Sequence, residues 1–263
     1  MSNDLSVILS GWVNKDERQS ARVINSYAGR PVLQYFESNA VLQMELEGRP
    51  DGVRPGNSAS MLDLLTARMA HPGATLQPQD WMELDREFVQ YQQRRQAALL
   101  AAATTLLDGH REDAIALYAL AVRDLKHCID IVDLTVAHHP VGGLVSARPE
   151  LKPVLIGQRF LALAQIELAN EQADSAVELL RQGESAIKEY LESNQPHDEA
   201  SNACLRELAL MESAVRDKYK LKATLQERLD DALAGENYEL AATLRDQITR
   251  NRSATTLQSD VGP

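Results

Sequence analysis

Cysteine is nearly absent from this chain of 263 residues, which contains two, Cys128 and Cys204. They do not form a Cys-x-x-Cys pair, so the sequence argues against both a disulfide framework and a zinc ribbon. Aromatic residues are also scarce, at 5% of the chain, whereas Ala and Leu are abundant. Such a composition favours helices packed on helices over a β-sandwich or a barrel.

Long apolar runs are missing as well. The first twenty residues have no basic stretch followed by a long apolar one, and no segment approaches the roughly 20 apolar residues of a membrane span. We therefore expect a soluble, cytoplasmic protein. The signatures of common enzymes are missing too, namely a phosphate loop, Gly-x-Ser-x-Gly, His-Glu-x-x-His and a dinucleotide fingerprint. We expect neither catalysis nor a cofactor or metal.

Positive charge is in deficit. The chain has 27 Lys and Arg against 38 Asp and Glu, a formal net charge of −11. Residues 81–219 alone carry 14 basic and 22 acidic side chains. Because affinity for nucleic acids rests on cations that neutralise phosphates, direct nucleic-acid binding is disfavoured.

The chain divides into four parts by pattern: a small β-rich element at 1–78, a helical-hairpin array at 79–217, a helical hairpin at 218–251 and a disordered polar tail at 252–263. Three short β-prone runs, at 22–24, 31–36 and 41–47, predict an antiparallel meander. Apolar periodicity then predicts helices at 58–70, 81–107 with Asp80 as its N-cap, 111–137, 153–169, 173–193 and 199–219, with a linker at 139–143. The fold prediction is mainly α.

Two of the predicted helical hairpins look alike. Each has a short turn followed by Ala-Ile or Ala-Val, at Ala114 and at Ala176, in the manner of a tetratricopeptide-type helix pair. The two alanines are 62 residues apart, whereas that repeat has a period of 34 residues. A repeat array and a stack of similar hairpins both remain open.

The most specific pattern lies at 220–250. Leu221, Leu225, Leu229 and Ala232 form one helical stripe, and Gly235 is expected to close that helix in the left-handed conformation. In the second helix the inward residues are predicted to be Tyr238, Ala241, Ala242, Leu244 and Ile248, with Glu239, Asp246 and Arg250 outward. The run Glu-Asn-Tyr-Glu-Leu-Ala-Ala-Thr-Leu-Arg-Asp-Gln-Ile resembles the UVR motif of the bacterial excision-repair proteins UvrB and UvrC.

This resemblance implies a helical hairpin that docks onto other proteins. The residues that would make the contact are Leu225, Leu229, Tyr238, Glu239, Ala241, Ala242, Leu244, Arg245 and Ile248. Arg245 follows Ala241 by one turn, and we expect its guanidinium to pair with a carboxylate across the hairpin or in a partner. The alternative is that the hairpin is an internal cap of the helical array.

A second run, Val41 to Pro55, contains Leu-Gln-Met and Gly-Arg-Pro-Asp-Gly. It resembles the N-terminal part of uncharacterised bacterial proteins that carry a UVR motif. Arg49, Asp51 and Arg54 stand on a loop stiffened by Pro and Gly. They predict either a loop contact with an anion or carboxylate, or a hydrogen-bonded turn, and we favour the turn.

One helix carries Asp124, His127 and Asp130 at steps of three residues, a spacing that can assemble metal ligands when a facing helix adds more. Glu87 is the facing candidate. The competing interpretation, a histidine satisfied by hydrogen bonds, is the one we favour. Cys128 falls on the apolar stripe with Leu125 and Val132, as expected of a buried thiol.

The function we expect is that of a non-catalytic interaction or scaffold protein, docking a partner or a second copy through the hairpin at 218–251. One alternative is an accessory factor in nucleotide excision repair that engages UvrB- or UvrC-type proteins or DNA, although the chain has no helicase or nuclease segment. A further alternative is an adaptor for a protease or a kinase. The cysteines with which such adaptors bind zinc are missing here.

Overall fold

The computed structural model describes residues 19–37, 40–138, 146–194, 199–221 and 225–260. Within these ranges the chain is mostly helical, with one small antiparallel sheet near its N-terminus, as predicted. No helix in the described ranges is both long and apolar enough to cross a membrane. The linker expected at 139–143 and the break expected at 195–196 lie outside the described residues.

The sheet is the predicted meander, in the order β1-β2-β3 with each pair antiparallel. Its strands are β1 Gln19–Asn25, β2 Pro31–Glu37 and β3 Ala40–Glu45. Leu33, Tyr35 and Met44 share a face that packs against alanines of the first long helix. β3 ends two residues earlier than predicted, and the Glu45 N–H, which points away from β2, donates at 2.9 Å to the Pro50 carbonyl in the following loop.

Eight helices follow the sheet in the described part of the chain. A short one, α1 Met61–Met69, precedes the array. The array consists of α2 Pro78–Leu107, α3 Arg111–His138, α4 Lys152–Ala169, α5 Ala173–Asn194 and α6 Glu199–Tyr219. The terminal pair is α7 Leu225–Ala234 and α8 Tyr238–Asp260.

Two helix starts differ from the prediction. Helix α2 begins at Pro78 with Gln77 as its N-cap, and the carboxylate of Asp80 accepts a hydrogen bond from the Gln77 N–H at 2.8 Å. Asp80 is therefore inside the first turn rather than the cap, because Pro78 suits the first helical position. Leu221 precedes α7 and packs with Val215 instead, since Lys220 adopts a left-handed conformation at φ 54°.

The last helix continues to Asp260, so residues 252–260 are helical where a disordered tail was predicted. The first glycine or proline after Asn251 is Gly262, so nothing in between removes a backbone donor or favours a turn. Low apolar content led to the prediction of disorder, but the backbone hydrogen bonds of a helix do not require an apolar stripe. Residues 261–263 lie outside the described residues.

Neighbouring helices of the array approach closely where small residues face each other. Gly157 on α4 lies against Cys204 on α6 so tightly that a methyl group at Gly157 would overlap the Cys204 sulfur. Cys128 is likewise fully buried, next to Leu125 and Val132, as predicted. Both thiols are therefore packing groups in helix–helix contacts.

Three helical hairpins share one turn geometry. In each, a residue with positive φ follows the first helix: Gly109 at 87°, Glu171 at 61° and Glu236 at 55°. Its N–H donates to the carbonyl three residues back, and the next N–H to the carbonyl five residues back, as in a Schellman motif. Five residues after each comes a buried alanine: Ala114, Ala176 and Ala241. The terminal hairpin thus shares its turn geometry with the two hairpins that the sequence identified as similar. Their relation to a tetratricopeptide repeat stays a prediction.

Candidate functional site

The terminal hairpin, α7 and α8, begins from a well-defined turn. The Glu236 N–H donates to the Leu233 carbonyl at 3.1 Å, and the Asn237 N–H to the Ala232 carbonyl at 2.7 Å. The Asn237 side chain then caps α8 by accepting from the Leu240 N–H at 3.2 Å. Gly235, expected in the left-handed conformation, is not in it, because the left-handed position of this motif falls one residue later, on Glu236.

The two helices enclose a small core of their own. Its buried members are Leu229, Ala232, Ala241, Leu244 and Ile248, and Leu225 packs against them. These residues were predicted from apolar spacing, and the structure brings them together on facing sides of α7 and α8. None of them belongs to the apolar clusters of the array among the described residues.

Two residues predicted to point inward do not. Tyr238 is 68% exposed and Ala242 is also exposed. Tyr238 is the first residue of α8, beside the turn, where α7 has already ended. Ala242 follows buried Ala241 directly, and one helical step rotates it about 100° away from the core. Glu239, predicted outward, is exposed.

Arg245 is exposed, and no carboxylate of the described residues lies within ion-pair distance of it. The predicted pairing across the hairpin is therefore not formed. Ala241 and Leu244 occupy the positions facing α7, which turns Arg245 toward solvent. Its guanidinium is left available to a second molecule.

Large apolar side chains are exposed around the hairpin turn. Leu233 is the last but one residue of α7, and Tyr238 and Leu240 open α8; the two leucines are each 40% exposed. The exposure of Leu233 and Leu240 was not predicted from the sequence. Each is adjacent in sequence to a residue of the hairpin core, and only the rotation of about 100° per residue turns its side chain away from that core. Together with Tyr238 they form what we call the tip of the hairpin.

Ion pairs connect the hairpin to the array. The carboxylate of Glu227 on α7 lies 3.0 Å from Nη1 of Arg181 on α5 and 3.2 Å from Nη2 of Arg216 on α6. Arg216 also binds Glu212 at 2.8 Å. Hydrogen bonds to Glu212 and Glu227 raise the pKa of Arg216, although desolvation acts to lower it. The attachment is thus charged and partly solvated.

The loop that carries Arg49, Asp51 and Arg54 is closed on its own chain. Arg49 is buried and lies 3.3 Å from Asp51 and from Glu83 and 3.8 Å from Glu87. Asp51 accepts a hydrogen bond from the Val53 N–H at 3.0 Å, as in a turn. Arg54 is exposed. The carboxylate contact of Arg49 is therefore made inside the protein.

His127 occupies a satisfied position. Its Nε2 lies 2.9 Å from Glu87 Oε1, and its ring stacks on Tyr91 at 3.8 Å between centroids. The same Glu87 accepts hydrogen bonds from the Met61 and Leu62 N–H groups and so caps α1. Asp124 binds Arg94 instead of approaching His127 as a ligand would. The described residues include no group of His, Cys, Asp and Glu that could hold a metal ion.

Comparison with known proteins gives no further guide to this site: no protein-family model, no curated protein and no solved structure matches the chain. The geometry of the terminal hairpin is the basis for the functional argument.

Proposed function

We propose that this chain is a non-catalytic interaction protein that docks a protein partner through its C-terminal hairpin, whose sequence resembles the UVR motif. The observation that carries the proposal is the combination of a self-contained hairpin core with an exposed apolar tip. A hairpin that closes its own core can present its outer surface without losing its fold.

The tip has the chemistry of a docking surface. Tyr238 offers a large ring with a polar end, a type of side chain that is enriched where proteins bind each other. The exposed Leu233 and Leu240 add apolar area on both sides of the turn. Arg245, which has no ion-pair partner among the described residues, supplies a planar donor for a carboxylate of the partner.

The internal-cap interpretation is less well supported. A cap would bury an apolar face against the array, as α6 does with Cys204 and Leu208. Among the described residues, Glu227 joins α7 to the array by ion pairs, and α7 contributes no side chain to the apolar clusters of the array. Partly exposed ion pairs typically contribute little stability, roughly 0–1 kcal/mol each. The hairpin is therefore better suited to engage a partner than to seal the array.

The test is site-specific photo-crosslinking in native cells with a benzophenone amino acid at position 238, and at Met82 as the control. Tyr238 and Met82 are 68% and 72% exposed, and Met82 lies on α2, far from the hairpin in sequence. We expect one specific adduct from position 238 that is absent from position 82. The adduct should fall at least about tenfold when Leu233 and Leu240 are both changed to Asp.

The mass of the adduct separates the occupants. An adduct of this chain with another protein supports the proposal, whereas an adduct of twice the chain mass assigns the hairpin to self-association. Equal crosslinking from both positions, or an adduct unaffected by the two Asp substitutions, would contradict docking through the tip.

A further inference from the structure

A second surface, separate from the hairpin, has the features of a binding site. A groove of about 1240 Å³ runs over α3, between β1 on one side and α4 on the other. Its floor is apolar, with Ala116, Ala119 and Leu120 of α3 and Leu163 of α4. Pockets for small ligands are typically about 300–1,000 Å³. This groove is larger than that range, and it accommodates a peptide segment.

The wall formed by β1 is a strand edge. Five consecutive residues, 21 to 25, line the groove. The side chains of a strand alternate between its two faces, so a groove that lies against one face would be lined by every second residue. Lining by consecutive residues indicates that the groove borders the backbone of β1. In the described sheet β1 pairs with β2 alone, so its other edge has no strand beside it.

The hydrogen-bond register shows which groups point into the groove. The Ser26 N–H donates to the Arg30 carbonyl at 2.7 Å, and Pro31, which has no N–H, lies opposite Asn25. In an antiparallel pair, bonded and non-bonded residue pairs alternate. The bonded pairs are therefore those at 26, 24 and 22, and the residues that direct both N–H and C=O away from β2 are Ala21, Val23 and Asn25.

The far wall of the groove carries an arginine with an unsatisfied nitrogen atom. Arg159 on α4 lines the groove, and its buried Nε has no hydrogen-bond acceptor among the described residues. The neighbouring cations in the groove are engaged, Arg123 with Glu47 at 2.9 Å and Lys126 with Asp130 at 2.6 Å. Desolvation lowers the pKa of Arg159, and the charge of Asp130 opposes this effect. A buried donor with no acceptor is destabilising, and an incoming carboxylate would remove that cost.

We propose that β1 accepts an extended segment of a partner protein as a fourth strand, with an acidic side chain of that segment bound to Arg159. Backbone hydrogen bonds to the outward groups of β1 hold the segment, as in other cases of strand addition. Side chains on alternate positions of the segment fall over the apolar floor of the groove. The partner is therefore a chain with alternating apolar residues and at least one carboxylate.

A second copy of this chain fits the groove less well than such a partner. If two copies joined through their β1 edges, the added strand would be QSARVIN, which carries one Arg and no acidic residue. It would bring no carboxylate to the Nε of Arg159. Glu47, Asp108, Asp113 and Glu167 also line the groove, so the complementarity is local: the unsatisfied Nε of Arg159 favours a partner segment that places one carboxylate there.

The probe is a phage-displayed library of random peptides about twelve residues long, selected on the full chain, with the enriched peptides synthesised for fluorescence anisotropy. Two variants address the two parts of the site. Val23→Pro removes an outward N–H but leaves the β1–β2 hydrogen bonds intact, because proline is tolerated on the free side of an edge strand. Arg159→Glu reverses the charge in the groove.

Each variant has a matched control. The Glu45 N–H points away from β2, toward Pro50. Val41 lies four residues earlier on the same strand, so its N–H points the same way. Val41→Pro therefore removes an outward N–H on the opposite edge of the sheet. Arg206, on the surface of α6, provides Arg206→Glu as the charge reversal outside the groove. Circular dichroism of all four variants establishes that the fold is retained.

We expect enriched peptides with alternating β-branched or aromatic residues and an acidic residue. Their Kd should rise at least about tenfold with Val23→Pro and with Arg159→Glu, and less than about twofold with either control. Replacing the acidic residue of a peptide by its amide should weaken binding to the native chain and not to Arg159→Glu. Combining the change in the peptide with the change at Arg159 measures the coupling energy between the acidic residue and Arg159.

Three results would overturn the proposal. The first is a selection that enriches no peptide. The second is binding that Val23→Pro leaves unchanged, which would point to a helix or to another surface. The third is a native dimer that Val23→Pro converts to a monomer in light scattering, which would assign the edge to a second copy.

Discussion

Arg94 and Asp124 form a buried, two-pronged ion pair between the two longest helices. Nε and Nη2 of Arg94 each donate to one oxygen of Asp124 at 2.7 Å, and both side chains are at most 1% exposed. Nη1 of Arg94 also donates to the Glu45 and Gly48 carbonyls, at 2.7 and 2.8 Å. This one guanidinium therefore fixes α2 to α3 and both to the end of the sheet.

Removing either partner of this pair should strongly destabilise the protein. Arg94→Ala or Asp124→Ala leaves a buried charge without its counterion, which typically costs about 3–5 kcal/mol. The double variant should lose clearly less than the sum of the two single variants, because it leaves no unpaired charge. Urea denaturation of the four proteins measures the free energies of unfolding. Additive losses would contradict a coupled pair.

Gly157 should be intolerant of a methyl group. Gly157→Ala places Cβ against the Cys204 sulfur and near the Ile187 side chain, and overpacking of this kind typically costs about 1–3 kcal/mol. Cys204→Ala removes the sulfur and should relieve the clash, so the double variant should unfold at nearly the same urea concentration as Cys204→Ala alone. Persistent destabilisation of the double variant would place the strain elsewhere.

Exchanging Glu236 for glycine should stabilise the terminal hairpin. A left-handed backbone conformation costs an ordinary residue about 1–2 kcal/mol, and glycine avoids this cost. Part of the gain is offset because glycine loses more backbone entropy on folding. We expect a net gain of about 0.5–1 kcal/mol, measured by native-state hydrogen exchange of amides in α7 and α8. Glu239→Gly, three residues further along in right-handed helix, is the control and should destabilise the hairpin.

The Cys204 thiol should make stability fall at high pH. Burial raises its pKa from 9.0 to about 11, and the charge of Glu207 adds to the effect. The folded protein thus keeps a proton that the unfolded chain releases, so the stabilisation is complete below pH 9 and is lost as pH rises toward 11. Other groups titrate in this range, so the measured quantity is the difference in unfolding free energy between the native chain and Cys204→Ala. That difference should shrink across the window, and a constant difference would argue against a buried thiol.

Local pattern was enough to predict much of this fold. The apolar spacing of Leu229, Ala241 and Leu244 identified the hairpin core, because helical periodicity alone places such residues on one side. The alternation of Leu42 and Met44 identified the third strand, because a period of two residues places such side chains on one face of a strand. These predictions depend on neighbours within a few residues of each other.

The remaining features depend on segments that are distant in sequence. Arg49 and Glu83, or Arg94 and Asp124, meet because a loop and two helices pack together, and no local pattern specifies that approach. Which residue takes the left-handed position also escaped prediction: Gly235 was expected, yet Glu236 adopts it, as Glu171 does in an equivalent turn. That β1 pairs with β2 alone in the described sheet became recognisable only once the pairing of the strands was known.

The separate core of the terminal hairpin means that the hairpin can unfold locally, with its own free energy of opening, apart from the array. Loss of the α7–α8 core leaves the clusters of the array intact, so the hairpin can open and close while the array stays folded. A protease added to the native protein would then cut first near the exposed turn at Gly235 and Glu236. The rate of that single cleavage would report directly on whether the hairpin is occupied.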